Sequence, residues 1–166
     1  MNCSANGYEP VILEHGSIMT RVGFARDITP RFSIPTNKTV IYNSNYSTKK
    51  EDFLPQTTKP LRLVEEGIIV NWDGITQYWD YLFNNLLNMA SKKSPVLLIV
   101  PPLNPRSNQE KIAEIMFEHL EVPALSLKSG PELILQQSGK DTGLVMHFDL
   151  NRSEEHTSEL QSPNTI

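Results

Sequence analysis

Five consecutive apolar residues, Val96-Leu97-Leu98-Ile99-Val100, lie between Pro95 and the pair Pro101-Pro102. A short continuous apolar run of this kind reads as a central β-strand covered on both faces, because it offers no polar side to turn toward water. Burying such a strand takes helices as well as neighbouring strands, so the expected class is α/β, a mixed sheet with helices packed on it.

The neighbours are legible further upstream. Val11 to Ala25, VILEHGSIMTRVGFA, reads as two strands hinged on Gly16-Ser17: Val11, Ile12 and Leu13 lead to Glu14, and the second strand resumes at Met19 and closes on Gly23-Phe24-Ala25. Arg31 to Ile34 reads as a third strand ending at Pro35. These three are expected to form an antiparallel meander joined in parallel by Val96 to Val100. A short turn such as Gly16-Ser17 gathers successive backbone N–H groups into one concavity, a geometry that suits an anion. An ordinary hairpin is the simpler reading of the same residues.

Helices are expected on either side of the apolar run. Asp73 can cap one, after which Ile75, Tyr78, Trp79, Leu82, Phe83 and Leu86 recur at helical spacing and form a core stripe. Trp72, Tyr78 and Trp79 could form an aromatic box for a cofactor, but that spacing points to packing. Asn104 as N-cap with Pro105 at the first helical position opens a second helix, with Ile112, Ile115 and Met116 inward. Leu125 to Leu127 can be a strand, Pro131 can open a short helix through Leu135 that Gly139 ends, and Thr142 to Met146 reads as a last strand. Thr36 to Pro60 is rich in Asn, Ser, Thr and Lys, has no sustained period, and reads as a mobile insertion.

Composition narrows the function classes. Apolar residues make up 39% and charged residues 20% of the 166, typical of a globular protein of one domain. The net charge of -4, with no Lys/Arg stripe, argues against direct nucleic-acid binding. No apolar run is long enough to span a bilayer and no basic-then-apolar leader is visible, so the expectation is an intracellular protein without membrane association. Cys3 is the only cysteine, which excludes an internal disulfide and a Cys-rich zinc site. No internal repeat is visible.

Several of these segments resemble the N-terminal part of the actin family. The family has a strand, the turn Asp-Asn-Gly-Ser-Gly and a strand ending Gly-Phe-Ala; this chain has Glu14-His15-Gly16-Ser17-Ile18 followed by Met19 to Ala25 and then Pro30-Arg31. Gly67-Ile68-Ile69-Val70-Asn71-Trp72-Asp73 is similar to the family's Gly-Ile-Val-Thr-Asn-Trp-Asp. Leu103-Asn104-Pro105-Arg106-Ser107-Asn108-Gln109-Glu110-Lys111 resembles Leu-Asn-Pro-Lys-Ala-Asn-Arg-Glu-Lys, and the likeness continues from Ile115-Met116-Phe117-Glu118 through Val122-Pro123-Ala124. The resemblance implies the N-terminal half of the superfold shared by actin, chaperone ATPases and sugar kinases. Residues 1–151 are then expected to be a partial actin-like domain, with 36–60 a shortened form of the outer subdomain. Arg152 to Ile166 resembles the in-frame translation of a sequencing adapter, and no packed structure is expected there.

In the family, the first turn and a second one, Asp-Ser-Gly-Asp-Gly, clamp the phosphates of ATP and its magnesium. By that resemblance the cofactor-binding candidates are Glu14, Gly16, Ser17, Ile18, Met19 and Arg21, with Asp149 as a displaced acid of the second loop; no catalytic or metal residue is assigned. Glu14 stands for the loop acid, Arg21 for the family's lysine, and Ile18 for a glycine. A β-branched residue forced to positive φ there would cost about 1 to 2 kcal/mol, so the turn is expected to differ in shape. The second loop reads His147-Phe148-Asp149-Leu150-Asn151, and the family's water-aligning Gln falls on Gly130. Three lost charge-assisted contacts at about 1.5 to 3 kcal/mol each remove about 4 to 9 kcal/mol, a thousandfold or more in affinity. The implied function is a structural or scaffolding actin relative, not an enzyme, with ATP/ADP and Mg bound weakly or not at all. Its expected partners are proteins, among them actin or other actin-related subunits, in the cytoplasm or cytoskeleton. The alternatives are a slowly hydrolysing ATP-binding actin-fold protein and a nuclear subunit of a chromatin-remodelling complex.

Overall fold

The computed structural model describes residues 9–36, 62–149 and 152–159, and only the backbone of 147–149 and 152–159. Strands β1 (Val11–His15), β2 (Met19–Phe24) and β3 (Phe32–Pro35) form the expected antiparallel meander, with Leu13 opposite Val22 and Arg21 opposite Ser33. Pro35 is tolerated inside β3 because that strand is an edge, where a missing N–H breaks no ladder. A small hairpin follows, β4 (Val64–Glu65) and β5 (Ile68–Ile69), turning on Glu66 and Gly67, both at positive φ (50° and 78°), the type I′ geometry of a two-residue loop.

Helix α1 runs over Trp72–Tyr81 and continues as a π-helical turn, Leu82–Leu86. Its cap is Asn71 instead of Asp73: Asn71 is extended (φ -126°) and its Oδ1 accepts the Gly74 N–H at 2.7 Å. Asp73 lies inside the first turn, where its charge meets the positive end of the helix dipole. The Ile75, Tyr78, Trp79, Leu82, Phe83 stripe is buried as expected, each side chain contributing about 1.5 to 3 kcal/mol. Strand β6 (Val96–Val100) lies parallel to β1, Leu13 beside Leu98.

Helix α2 covers Arg106–Glu114 and extends as a π turn, Ile115–His119. The cap position falls on Pro105, one residue later than expected, and Asn104 gives no side-chain cap; it is buried, and its carbonyl accepts the Gln109 side-chain amide at 3.0 Å. Ile112, Ile115 and Met116 are buried. Both helix ends close through a left-handed residue, Asn88 (φ 51°) and Glu121 (φ 52°), with Met89 N–H returning to Phe83 O and Val122 N–H to Met116 O, one residue wider than the six-to-one bond of a Schellman cap because the last turn is π-wound.

Strand β7 (Leu125–Ser129) extends the sheet in parallel beside β6, giving the order β3-β2-β1-β6-β7. Helix α3 (Gly130–Ser138) is capped by Ser129 and ended by Gly139 at φ 67°. Strand β8 (Thr142–Asp149) does not join the large sheet; it pairs antiparallel with β9 (Arg152–Glu159). Residues 152–159, where no packed structure is expected, thus carry a backbone pairing: an apolar strand leaves a row of backbone donors and acceptors that a following polar segment can satisfy whatever its side chains. Residues 160–166 lie outside the described residues, as do 37–61, where the mobile insertion was expected. Thr36, counted in that insertion, is instead fully buried.

The core sits on one face of the large sheet, where Val11, Leu13, Val22, Val96 and Leu98 meet α1 and α2. Leu97 and Ile99 keep intermediate exposure where Val96 and Leu98 are buried, so one face of β6 is better covered than the other.

Candidate functional site

The carboxyl end of β1 carries the first turn, and its shape follows from its backbone bonds. Gly16 N–H donates to Met19 O (2.9 Å) and Thr36 N–H donates to Ile18 O (2.9 Å). A β-carbon on Gly16 would sit 3.0 Å from that Met19 carbonyl, a contact that a larger residue could make only if the turn backbone gave by a few tenths of an ångström. Ile18 does not adopt positive φ, and the strain that a glycine-shaped turn would impose on it is avoided. Its side chain is 46% exposed at the tip. Glu14 and Arg21 are cross-strand partners, and Arg21 Nη1 donates to Glu14 Oε2 at 3.0 Å. The two charged candidates of the turn therefore meet each other.

Beneath the turn runs a line of buried hydrogen bonds. Trp79 Nε1 lies 2.7 Å from His15 Nε2, His15 Nδ1 3.0 Å from Thr20 Oγ1, Thr20 Oγ1 2.9 Å from Thr36 Oγ1, and Thr36 Oγ1 2.8 Å from Gly16 O. An indole N–H can only donate and a carbonyl can only accept, so every link has one polarity. Trp79 donates to Nε2, the imidazole is neutral with its proton on Nδ1, His15 donates to Thr20, Thr20 to Thr36, and Thr36 to Gly16 O. Burial pushes the His15 pKa down to about 4, in keeping with the neutral ring this polarity demands. The Tyr78 hydroxyl is also buried nearby; among the described residues it has no partner in hydrogen-bonding geometry, and burial raises its pKa.

Sequence reasoning placed the turn but not this line. The usable signal was the period of two: in β1 the inward positions are Val11, Leu13 and His15, and in β2 they are Thr20 and Val22. A histidine and a threonine at core positions of adjacent strands call for buried partners. Trp79, read as packing, is both packing and donor.

The other candidates are dispersed. Asp149 is the last residue of β8, opposite Arg152 in the two-stranded sheet, and its side chain, like that of His147, lies outside the description. Gly130 opens α3, and a β-carbon there would meet nothing within 4 Å. Beside the turn, His15, Gly67, Ile69, Val100 and Asn104 line a pocket with room for about one water molecule. As a donor set for a magnesium nucleotide these residues fit poorly. The acid and the cation pair with each other, and an apolar side chain, Ile18, sits at the exposed tip.

Comparison with known proteins matches the actin family model over residues 5–154. The chain is similar to centractin of Schizosaccharomyces pombe, 35% identical over an alignment of 149 positions that covers 83% of this chain and 39% of the relative. It is similar to an actin-like protein of Neurospora crassa at 32% identity, covering 82% of this chain and 39% of the relative. Human actin-like protein 7A is 34% identical over 82% of the chain and 34% of its own length. The chain thus spans less than two fifths of these relatives. With the family model covering the meander, the parallel strands and both long helices, this chain belongs to the actin family.

Proposed function

We infer that the protein works as a structural or scaffolding member of the actin family, through contacts with other proteins, with weak or absent nucleotide binding and no ATPase activity of its own. Actin and other actin-related subunits are the partners this reading favours, and the cytoplasm and cytoskeleton its place. The observation that carries it is the closed Glu14–Arg21 pair across the first turn, with Ile18 at the tip. Phosphoryl chemistry depends on positioned charges and donors, and here the two charged side chains of the turn compensate one another.

A second reading, slow ATP turnover, draws on Gly16, Ser17 and Arg21. The Glu14–Arg21 pair is solvent-exposed, such pairs contribute at most about 1 kcal/mol, and a triphosphate could compete for Arg21. Calorimetric titration of the full-length protein with magnesium-ATP decides between them. No heat of binding at micromolar concentrations supports the scaffold; micromolar affinity with phosphate release that Arg21→Ala abolishes establishes the ATPase.

A further inference from the structure

The buried line from Trp79 to Gly16 connects elements far apart in the chain, and it ends on the turn's own backbone. Its members come from β1 (His15), β2 (Thr20), the residue just after β3 (Thr36) and α1 (Trp79). Trp79, Thr20 and Thr36 are fully buried, and His15 is 8% exposed. Thr36 holds the turn twice, by its N–H to Ile18 O and its hydroxyl to Gly16 O, while Gly16 N–H closes on Met19 O. Hydrogen bonds in a low-dielectric interior are strengthened, and each deletion leaves an orphaned donor or acceptor behind, so such a line holds or fails as a unit.

We propose that this relay is an internal latch: it holds the first turn in a single conformation from the core side, and the turn keeps that conformation whether or not an anion lies at its outer face. The proposal rests on the reading of the turn as poor in nucleotide binding, and it adds what shapes the turn in a ligand's place. Two features of this chain make the latch work. An imidazole at position 15 is long enough to reach the Trp79 indole while its other nitrogen serves Thr20. Ile18, β-branched, has fewer backbone states open to it than a glycine would have, so less entropy opposes a single turn shape. The latch also makes a core residue of α1 a positioning residue for a turn 63 residues earlier in the chain (Trp79 against Gly16).

The test is amide hydrogen exchange on the whole chain, without nucleotide, comparing wild type with Trp79→Phe, which keeps a ring and deletes the donor, and Thr36→Val, which keeps the shape and deletes the hydroxyl. The latch predicts that the amides of Gly16 and Thr36, whose hydrogen bonds close the turn, exchange at least about tenfold faster in each variant, while amides of β6 keep their wild-type rates. Unchanged turn exchange, or an equal acceleration in β6, overturns it. The wild type gives a second readout that needs no variant to fold. Nitrogen chemical shifts of the His15 ring should show the neutral Nδ1–H tautomer at neutral pH, and an Nε2–H tautomer or an imidazolium overturns the latch. Magnesium-ATP added to the same sample separates this proposal from the functional reading. Micromolar binding with turn exchange unchanged overturns the scaffold alone, whereas turn exchange that shifts with nucleotide overturns the latch.

Discussion

His15 is buried with its ring nitrogens on Trp79 and Thr20, and burial takes its pKa from 6.5 to about 4. The unfolded chain therefore binds a proton below pH 6.5 that the folded chain refuses until about pH 4. The sign follows: stability is at its full value above pH 6.5, falls with a slope approaching about 1.4 kcal/mol per pH unit below it, and levels off near pH 4. Between pH 7.5 and 4.5 the loss comes to about 2 to 3 kcal/mol. With a urea dependence of about 1 to 3 kcal/mol per molar, the unfolding midpoint should drop by about 1 to 2 M over that range. The control is His15→Gln, a side chain of similar reach that does not titrate; it should start less stable and lose little between pH 6.5 and 4.5. Asp27 does not confuse the result. The Arg31 guanidinium holds its carboxyl below the usual value of 3.8, so its contribution is present above pH 3.8 and is lost only at lower pH, outside the window. A wild-type midpoint that stays flat to pH 4.5, or one that falls equally in His15→Gln, would refute the neutral state assigned to His15.

Three further outcomes are expected. Tyr78→Phe removes a buried hydroxyl without a partner and should leave stability unchanged or raise it by up to about 1 kcal/mol; a loss greater than that in urea unfolding would mean the hydroxyl bonds to Thr20. Glu66→Asn places Asn-Gly in a turn whose two residues have positive φ, and should raise the thermal midpoint by the equivalent of about 0.5 to 1 kcal/mol, whereas a lower midpoint would contradict the type I′ assignment. Gly16→Ala drives a β-carbon against the Met19 carbonyl and should destabilise the chain by about 1 kcal/mol or more, while Gly130→Ala, which enters open space in a helix, should stabilise it; the opposite order in denaturant midpoints would undo the turn geometry.

The strands and helices were legible because their patterns repeat. The alternation in β1 and β2, the unbroken run of β6 and the helical spacing from Ile75 to Phe83 each bury one side of an element, and burial of apolar area dominates the choice of local structure. The ends of elements were less legible. Asn71 took the cap expected of Asp73 and Pro105 the place expected of Asn104, because a cap is decided by one backbone angle and one side-chain bond, and neighbouring residues compete for both. The pairing of β9 was missed because it rests on backbone groups that every sequence carries.

The candidate site divides along the same line. The positions of Glu14, Gly16, Ile18 and Arg21 on one turn follow from order along the chain, since two strands joined by a short hinge meet at that hinge. That Glu14 and Arg21 neutralise each other depends on the register of β1 against β2. That His15 is neutral, and that the turn is tied to Trp79 and Thr36, depends on contacts between residues as far apart as 64 positions, which no local pattern encodes. Local sequence sets which elements form, because periodicity and turn chemistry act within a few residues. Which polar groups satisfy one another is set only when packing brings distant elements together and removes the water that would otherwise have served each of them.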